Sequence, residues 1–369
     1  MNTNDEHNEL YYQLALTFTP GIGAKIGRAL LERYGDAAAI FRAPLKELKT
    51  VEGITEPRAK AFRDEEVLKK AAQEMNFVIK HDLEALYYNH KYPTRLSNCS
   101  DAPLVLFYKG IADLNAAKTV AVVGTRKNTD YGHRLCEELI EGLQALDNVI
   151  VFSGLALGID AIAHKKCVQL GIPTVGVLGH SLDRIYPHNH KDLSDQMIEN
   201  GGLLSEFPSG IGPDRNNFPM RNRIVAGLSD ITVVVESHVS GGALITAHMA
   251  SGYNREVAAF PGRVSDSRSA GCNELIRTNI AAMVTKADDL IELMNWKDGK
   301  PKTVQRQLFI NFSPDEQKIV DLLLNRDNVH ADELFHNTGL PNSLLAATLL
   351  QLEMQGIIKS LPGKLYRMY

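Results

Sequence analysis

The long-range pattern in this chain is an alternation of two textures. Short, β-branched, continuously apolar runs alternate with stretches whose apolar residues recur every three to four positions. Residues 119–123, 149–152, 173–178, 231–235 and 256–260 read as strands, with 104–108, 203–204 and 282–284 as weaker members. Residues 130–146, 160–169, 191–199 and 243–251 read as the helices between them. Strands that are apolar throughout predict a parallel sheet buried on both faces, and their alternation with helices predicts a doubly wound α/β fold.

Both flanks differ in texture. From Leu10 the chain reads as a small helical module, with Pro20-Gly21-Ile22-Gly23-Ala24-Lys25-Ile26-Gly27 between Leu-rich segments and a weaker copy at Val51-Glu52-Gly53-Ile54-Thr55. The pair resembles SAM-like helix-hairpin-helix units, whose glycine turn exposes backbone N–H groups. With Thr55 where a glycine belongs, packing or dimerisation is the expected role. After the α/β region the chain turns polar and basic (Lys297, Lys300, Lys302, Arg306) around Gly299 and Pro301 and reads as a linker. Beyond it, Ser313-Pro314-Asp315-Glu316 caps one helix, two more follow at 331–337 and 342–355, and a two-stranded wing is expected around Pro362-Gly363. This is the order of a winged helix. Its third helix holds Glu353 and no Lys or Arg, so protein contact or a structural role is expected there rather than duplex reading. The expected partition is 1–85 helical, 86–295 α/β, 296–312 linker and 313–369 winged helix.

Composition narrows the chemistry. The formal net charge of −4 over 369 residues gives no global basic excess, so any polyanion site must be a local patch. Cys99, Cys136, Cys167 and Cys272 are widely spaced and form no C-x-x-C pair, which argues against zinc and a disulfide framework and for reduced thiols in the cytoplasm. The polar, acidic first ten residues are not expected to act as a signal peptide, and no apolar run is long enough to span a bilayer. No metal and no cofactor is expected.

In an open α/β sheet ligands bind beyond the carboxyl ends of the strands. The loops there are Gly124-Thr125-Arg126-Lys127, Ser153-Gly154 through Asp160, and Glu236 through Ser240-Gly241-Gly242, all rich in small residues that let N–H groups approach a phosphate. The stretch 213–227 adds Arg215, Phe218, Arg221, Asn222 and Arg223. Pro219 marks a helix start, which puts Arg221 and Arg223 in its first turn, where cations are disfavoured unless an anion is expected. Several anion-accepting loops beside an aromatic suit a polymer of phosphates. There is no G-x-G-x-x-G after the first core strand and no P-loop. No catalytic residue is expected: His188 and His190 read as surface, His164 as core or rim, Asp160 as a helix cap, and Glu206 and Glu236 as orienters of the arginines.

Taken in order, Val122-Val123-Gly124-Thr125-Arg126, the run from Ser153 to His164, Tyr186-Pro187, Gly201-Gly202-Leu203-Leu204-Ser205-Glu206-Phe207-Pro208, the run from Phe218 to Ser229, and Pro261-Gly262 resemble the DNA-processing protein A (DprA/Smf) family. The resemblance implies a Rossmann-like core and a dimeric single-stranded-DNA-binding protein of natural transformation. Such a protein protects incoming strands, helps displace single-strand-binding protein and loads the RecA recombinase. By position it implies DNA contacts at Gly124, Thr125, Arg126, Ser153, Gly154, Arg215, Phe218, Arg221, Asn222, Arg223, Gly241 and Gly242. Many members carry a second Ser where Gly242 stands, which removes one hydroxyl contact.

The competing readings are an enzyme and a DNA-independent scaffold. The glycine-rich loops also resemble lysine-decarboxylase-like phosphoribohydrolases, which carry P-G-G-x-G-T-x-x-E with a catalytic Glu. Here the nearest stretch, 240–249, has Thr246 and no Glu after it. The scaffold reading leaves Arg126, Arg215, Arg221 and Arg223 without a purpose.

Overall fold

Helical periodicity and side-chain caps build the first part of the chain in the computed structural model, which describes residues 3–296, 312–324, 329–355, 357–361 and 364–368. Six helices come first: α1 (Thr3–Phe18), α2 (Ala24–Tyr34), α3 (Ala37–Arg42), α4 (Leu45–Leu48), α5 (Glu56–Ala61) and α6 (Glu65–Lys80). Asp36 and Asp64 cap α3 and α6, accepting from the N–H of Ala39 (2.6 Å) and Glu66 (3.0 Å). Then follow β1 (Glu84–Tyr87), α7 (Thr94–Ser97), β2 (Val105–Gly110), β3 (Lys118–Val123), α8 (Asp130–Leu143), β4 (Val149–Ser153), α9 (Ile159–Leu170), β5 (Thr174–Leu178), α10 (Lys191–Asn200) and β6 (Gly202–Ser205). The α/β region closes with α11 (Asn217–Leu228), β7 (Ile231–Val234), α12 (Gly242–Gly252), β8 (Glu256–Ala259), α13 (Ala270–Arg277), β9 (Ala282–Met283) and α14 (Ala287–Leu293).

The nine strands form one sheet in the order β1-β2-β6-β5-β4-β3-β7-β8-β9. From β6 to β9 every pairing is parallel, whereas β2 runs antiparallel to β6 and β1 antiparallel to β2. The sheet expected to be parallel thus carries an antiparallel edge. Only the four-residue α7 lies between β1 and β2, too little helix for a parallel crossover.

Burial explains the unbroken apolar runs. Val120, Val122, Val151, Ile231 and Val233 pack beneath α8, α9 and α14, while Ala121, Val123, Ile150, Phe152 and Val234 pack against α11 and α12. The edge strands alternate in the same way. Leu86, Leu106 and Tyr108 join the core on one side, and Ala85, Tyr87, Val105 and Phe107 join the core of the N-terminal helices on the other. Those helices therefore roof one face of the edge, and residues Met1–Lys297 form one compact unit. Arg28 of α2 adds hydrogen bonds to the carbonyls of Ser97 (2.7 Å) and Cys99 (3.1 Å).

Chain order runs outward from β3 through β4, β5 and β6 on one side and through β7, β8 and β9 on the other. The reversal between β3 and β7 opens a crevice at their carboxyl ends, the place where such sheets bind ligands.

The second unit holds α15 (Pro314–Leu324), β10 (Val329–His330), α16 (Ala331–Thr338), α17 (Asn342–Met354), β11 (Ile358–Leu361) and β12 (Leu365–Met368), its strands ordered β10-β12-β11. Ser313 and Glu316 cap α15 reciprocally: the Ser313 N–H donates to Glu316 Oε2 (2.8 Å) and the Glu316 N–H to Ser313 Oγ (3.3 Å). Ile319, Leu323, Leu345, Leu349 and Leu352 fill its core, while Leu344, Leu350 and Met354 of α17 stay exposed. Residues 297–311 of the expected linker and the Pro362-Gly363 turn of the expected wing lie outside the described residues. All four cysteines are free and buried. Among the described residues no helix is long and apolar enough to cross a membrane, and no group of three metal-ligating side chains occurs.

Candidate nucleic-acid interface

The loop after β3 is fixed by backbone pairing across the crevice. The Thr125 N–H donates to the carbonyl of Glu236 (2.8 Å), and the Thr125 carbonyl accepts from the N–H of Ile159 (3.2 Å). Glu236 is buried, and its carboxylate accepts from the N–H (2.8 Å) and hydroxyl (2.9 Å) of Thr129. It holds this loop, whereas the sequence predicts that it orients an arginine. The result is a rigid turn, Gly124 packed on Ile159, from which Arg126 and Lys127 project into solvent.

Arg126 reaches the ring of Phe218, its guanidinium carbon 5.3 Å from the centroid. Phe218 is half-buried at the start of α11 and packs so closely on the backbone at Gly179 that a Cβ there would lie 2.9 Å from its ring. Exposed Tyr186 sits beside it, ring centroids 6.1 Å apart and tilted by 35°. Arg215 is exposed in the loop that leads into α11. That loop is anchored upstream: buried Glu74 of α6 accepts from the N–H (2.9 Å) and hydroxyl (2.6 Å) of Ser209, and Asp183 accepts from the N–H of Gly210 (3.1 Å). A Tyr–Phe–Arg cluster flanked by exposed cations is thus held on a stiff frame. Such a cluster can stack on planar rings and attract anions.

The remaining expected residues build the frame. α11 starts at Asn217, two residues earlier than expected, with Pro219 at its third position. The first turn tolerates proline there because its N–H groups have no intrahelical partner. Arg221 and Arg223 consequently lie beyond the first turn. Arg221 is buried and donates to the carbonyls of Gly154 and Val177. Desolvation lowers its pKa to about 10, opposed by the nearby Asp160 carboxylate. Asn222 Oδ1 accepts from Arg221 Nε (3.2 Å). Arg223 forms an ion pair with Glu206 and donates to the carbonyl of Asp101 (2.7 Å). Burial raises the pKa of Glu206, and Arg223 opposes the rise.

Ser153 is fully buried with its hydroxyl on the carbonyl of Val122 (2.6 Å). Asp160, one residue inside α9, does not cap that helix. Its carboxylate accepts from the N–H groups of Gly154 (3.1 Å) and Ala156 (3.3 Å). The anion at this turn is therefore the protein's own. Gly241 precedes α12 with its N–H on the carbonyl of His238 (2.8 Å), and Gly242 is exposed at the helix start.

His164 is wholly buried, its Nδ1 2.7 Å from Thr174 Oγ1, and burial pushes its pKa down to about 3. His188 is exposed as expected, but His190 is buried and its Nδ1 donates to the carbonyl of Leu155 (3.0 Å). Tyr186 joins the candidate site although it is not among the residues the sequence points to. Its signal was an aromatic before Pro187 in a polar loop.

Three kinds of comparison agree on the relatives. The family model described as DNA recombination-mediator protein A matches residues 85–295, the DprA winged helix domain 301–364, and the SAM-like helix-hairpin-helix tandem 14–65. Protein Smf of Escherichia coli K12 is 36% identical over 288 residues, covering 75% of this chain and 75% of its own. DNA processing protein DprA of Streptococcus pneumoniae R6 is 41% identical over 200 residues, 54% of this chain and 70% of its own. An X-ray structure of DprA from Streptococcus pneumoniae superposes with a TM-score of 0.66 at 32% identity, covering 76% of this chain and 97% of that one. A structure of DNA processing protein A from Helicobacter pylori, described for its single-stranded-DNA binding mode, gives a TM-score of 0.52 at 28% identity over 58% of this chain and 95% of that one. With the family model spanning residues 85–295 and a relative 36% identical over three quarters of both chains, the chain belongs to the DNA recombination-mediator protein A (DprA/Smf) family.

Proposed function

We propose that this protein binds single-stranded DNA with little sequence preference at the rim formed by Arg126, Lys127, Arg215, Phe218 and Tyr186. The observation that carries this reading is Arg126 lying over Phe218 beside exposed Tyr186, with no acidic side chain paired to Arg126, Lys127 or Arg215 among the described residues. Aromatic stacking is sequence-tolerant because every base has a π-face, and the cations follow the backbone. The nearby carboxylates do not favour hydrolysis. Glu236, Asp160 and Glu206 hold Thr129, the Gly154 turn and Arg223 respectively. Binding without chemistry fits them better than the phosphoribohydrolase reading.

The family and the Helicobacter relative support a role in DNA processing during transformation. Within it, our reading is that a homodimer protects incoming strands, displaces single-strand-binding protein and loads RecA. To the outer face of α17, with Leu344, Leu350 and Met354 exposed and no basic residue, we assign protein contact.

Fluorescent single-stranded and duplex oligonucleotides titrated at two salt concentrations, with AMP as competitor, test the binding reading. Preference for the single strand, steep salt dependence and indifference to AMP are expected. Displacement by AMP with release of free base would replace it with the hydrolase. RecA filament growth on strands covered by single-strand-binding protein tests the loading step, and growth no faster with the protein than without it would remove that step.

A further inference from the structure

The loop after β8 carries a second pair of exposed arginines that the site above does not include. Its base is fixed by two helices. Tyr131 of α8 donates to the carbonyl of Pro261 (2.8 Å), and Asn273 of α13 exchanges hydrogen bonds with Gly262 (3.1 and 3.0 Å). Inside the loop two turns close on each other, the Asp266 N–H on the carbonyl of Arg263 (2.9 Å) and the Ser269 N–H on the carbonyl of Asp266 (3.2 Å). The Asp266 carboxylate faces inward, accepting from the N–H of Arg268 (2.9 Å) and the hydroxyl of Ser269 (3.5 Å), so it neutralises neither guanidinium. Arg263 and Arg268 are exposed and in no ion pair among the described residues. Between them Val264 is 98% exposed.

This loop is joined to the site already described. Arg268 donates from Nη1 to the carbonyl of Lys127, next to Arg126. In the sheet, β8 lies beyond β7 from β3, and Phe218 packs at the end of β5. Four strand spacings separate β5 from β8, about 19 Å at ~4.8 Å per strand. The stretch between holds His238 and Ser240, hydrogen-bonded to each other, with Glu236 buried beneath. Cations therefore line the carboxyl rim from Arg215 through Arg126 and Lys127 to Arg268 and Arg263.

We infer that the β8 loop is a second phosphate-binding station, so that one single strand runs across the sheet's carboxyl rim from the Tyr186–Phe218 platform to Arg268 and Arg263. This rests on the binding reading given above. A strand short enough to occupy the aromatic platform alone does not reach the second station; a longer one does. The station sets the length of strand engaged, and Val264 gives its apolar tip.

The test uses the full-length chain, oligothymidines of about four and about sixteen nucleotides (the two ends of the range of site sizes for sequence-tolerant binders), and a salt series for each. Arg263→Gln is expected to leave affinity for the short strand within about twofold. On the long strand it should reduce the log–log salt slope by about 0.7 for each lost phosphate contact. Because Arg268 also braces Lys127, Arg263→Gln is a cleaner variant than Arg263→Gln/Arg268→Gln and must reduce the slope on the long strand by itself. Ser265→Lys should tighten the long strand only. An unchanged slope on the long strand, or equal losses on both lengths with Arg263→Gln, would overturn the second station while the wild-type binding reading stands. Failure of the wild-type chain to bind either strand would remove both.

Discussion

Arg126 and Phe218 meet although they come from different crossovers, one from the turn after β3 and the other from the start of α11, with the cation 5.3 Å from the ring centroid. The contact holds the ring against Gly179 and leaves its free side toward Tyr186. Phe218→Ala is therefore expected to weaken single-strand binding by about 1–3 kcal/mol, the usual worth of one stacked base, and Phe218→Trp to preserve it. Fluorescence anisotropy with oligothymidine measures both. Equal affinity of the alanine variant and the wild type would rule out stacking at this position.

Exposed and buried arginines of this region should respond differently. Arg126→Gln and Arg215→Gln remove charges that face solvent, so each should lower the salt slope of binding by about 0.7 and leave the unfolding temperature unchanged. Arg221→Gln strips the carbonyls of Gly154 and Val177 of a buried donor, at about 1–3 kcal/mol for each group left unsatisfied. Thermal unfolding beside the titrations separates the two classes. A stable Arg221→Gln protein would contradict the framing role.

A Cβ on Gly154 would lie 2.4 Å from Nη2 of Arg221 and 2.5 Å from its Cζ. Neither side can retreat, since the guanidinium is buried and hydrogen-bonded in place. Gly154→Ala should cost about 1–3 kcal/mol, read as a lower urea midpoint at unchanged m-value.

Glu206 and Arg223 are a largely buried pair, with side-chain exposures of 10% and 13%. Arg223→Met leaves the carboxylate unpartnered and is expected to cost about 3–5 kcal/mol, whereas Arg223→Met/Glu206→Leu should recover much of that loss. A double-mutant cycle by chemical denaturation gives the coupling. Additive losses would mean that the pair contributes no mutual stabilisation.

His164 gives the protein a pH dependence of definite sign. Its folded pKa, about 3, lies below the ordinary 6.5 because burial disfavours the cation. The unfolded chain thus binds a proton that the folded one does not. Stability is complete above about pH 6.5 and falls as the pH drops toward 3, by about 1.4 kcal/mol per unit from this group. His164→Gln should flatten the profile between pH 6 and 4 relative to wild type. Parallel profiles would show that His164 is not the group responsible.

The sheet was legible because both of its faces are covered, which makes strands such as β4 and β7 continuously apolar. The antiparallel edge was harder to foresee: β1 is four residues long and alternates between two cores, so it leaves only a weak signature. The exposed half of the candidate site, Arg126, Arg215 and Phe218, stands out in the sequence as charges beside an aromatic. The buried half could not be sorted that way. Arg221 carries the same charge as Arg215, but its partners are backbone carbonyls just after β4 and on β5, which no side-chain pattern announces. The same holds for His190, whose partner is the carbonyl of Leu155, and for Asp160, which occupies the Gly154 turn that the glycine pattern had marked for an external anion.

The alternation along β1 and β2 bears on where the molecule can be divided. Starting the chain at residue 86 would separate Val105 and Phe107 from the helices that roof them and remove half of β1 from the edge. What remained would expose an apolar sheet face beside unpaired backbone donors and acceptors, a template for joining other copies strand to strand. The helical half thus serves as the seal that keeps the large sheet finite, and an α/β fragment prepared without it is expected to be sticky rather than simply smaller.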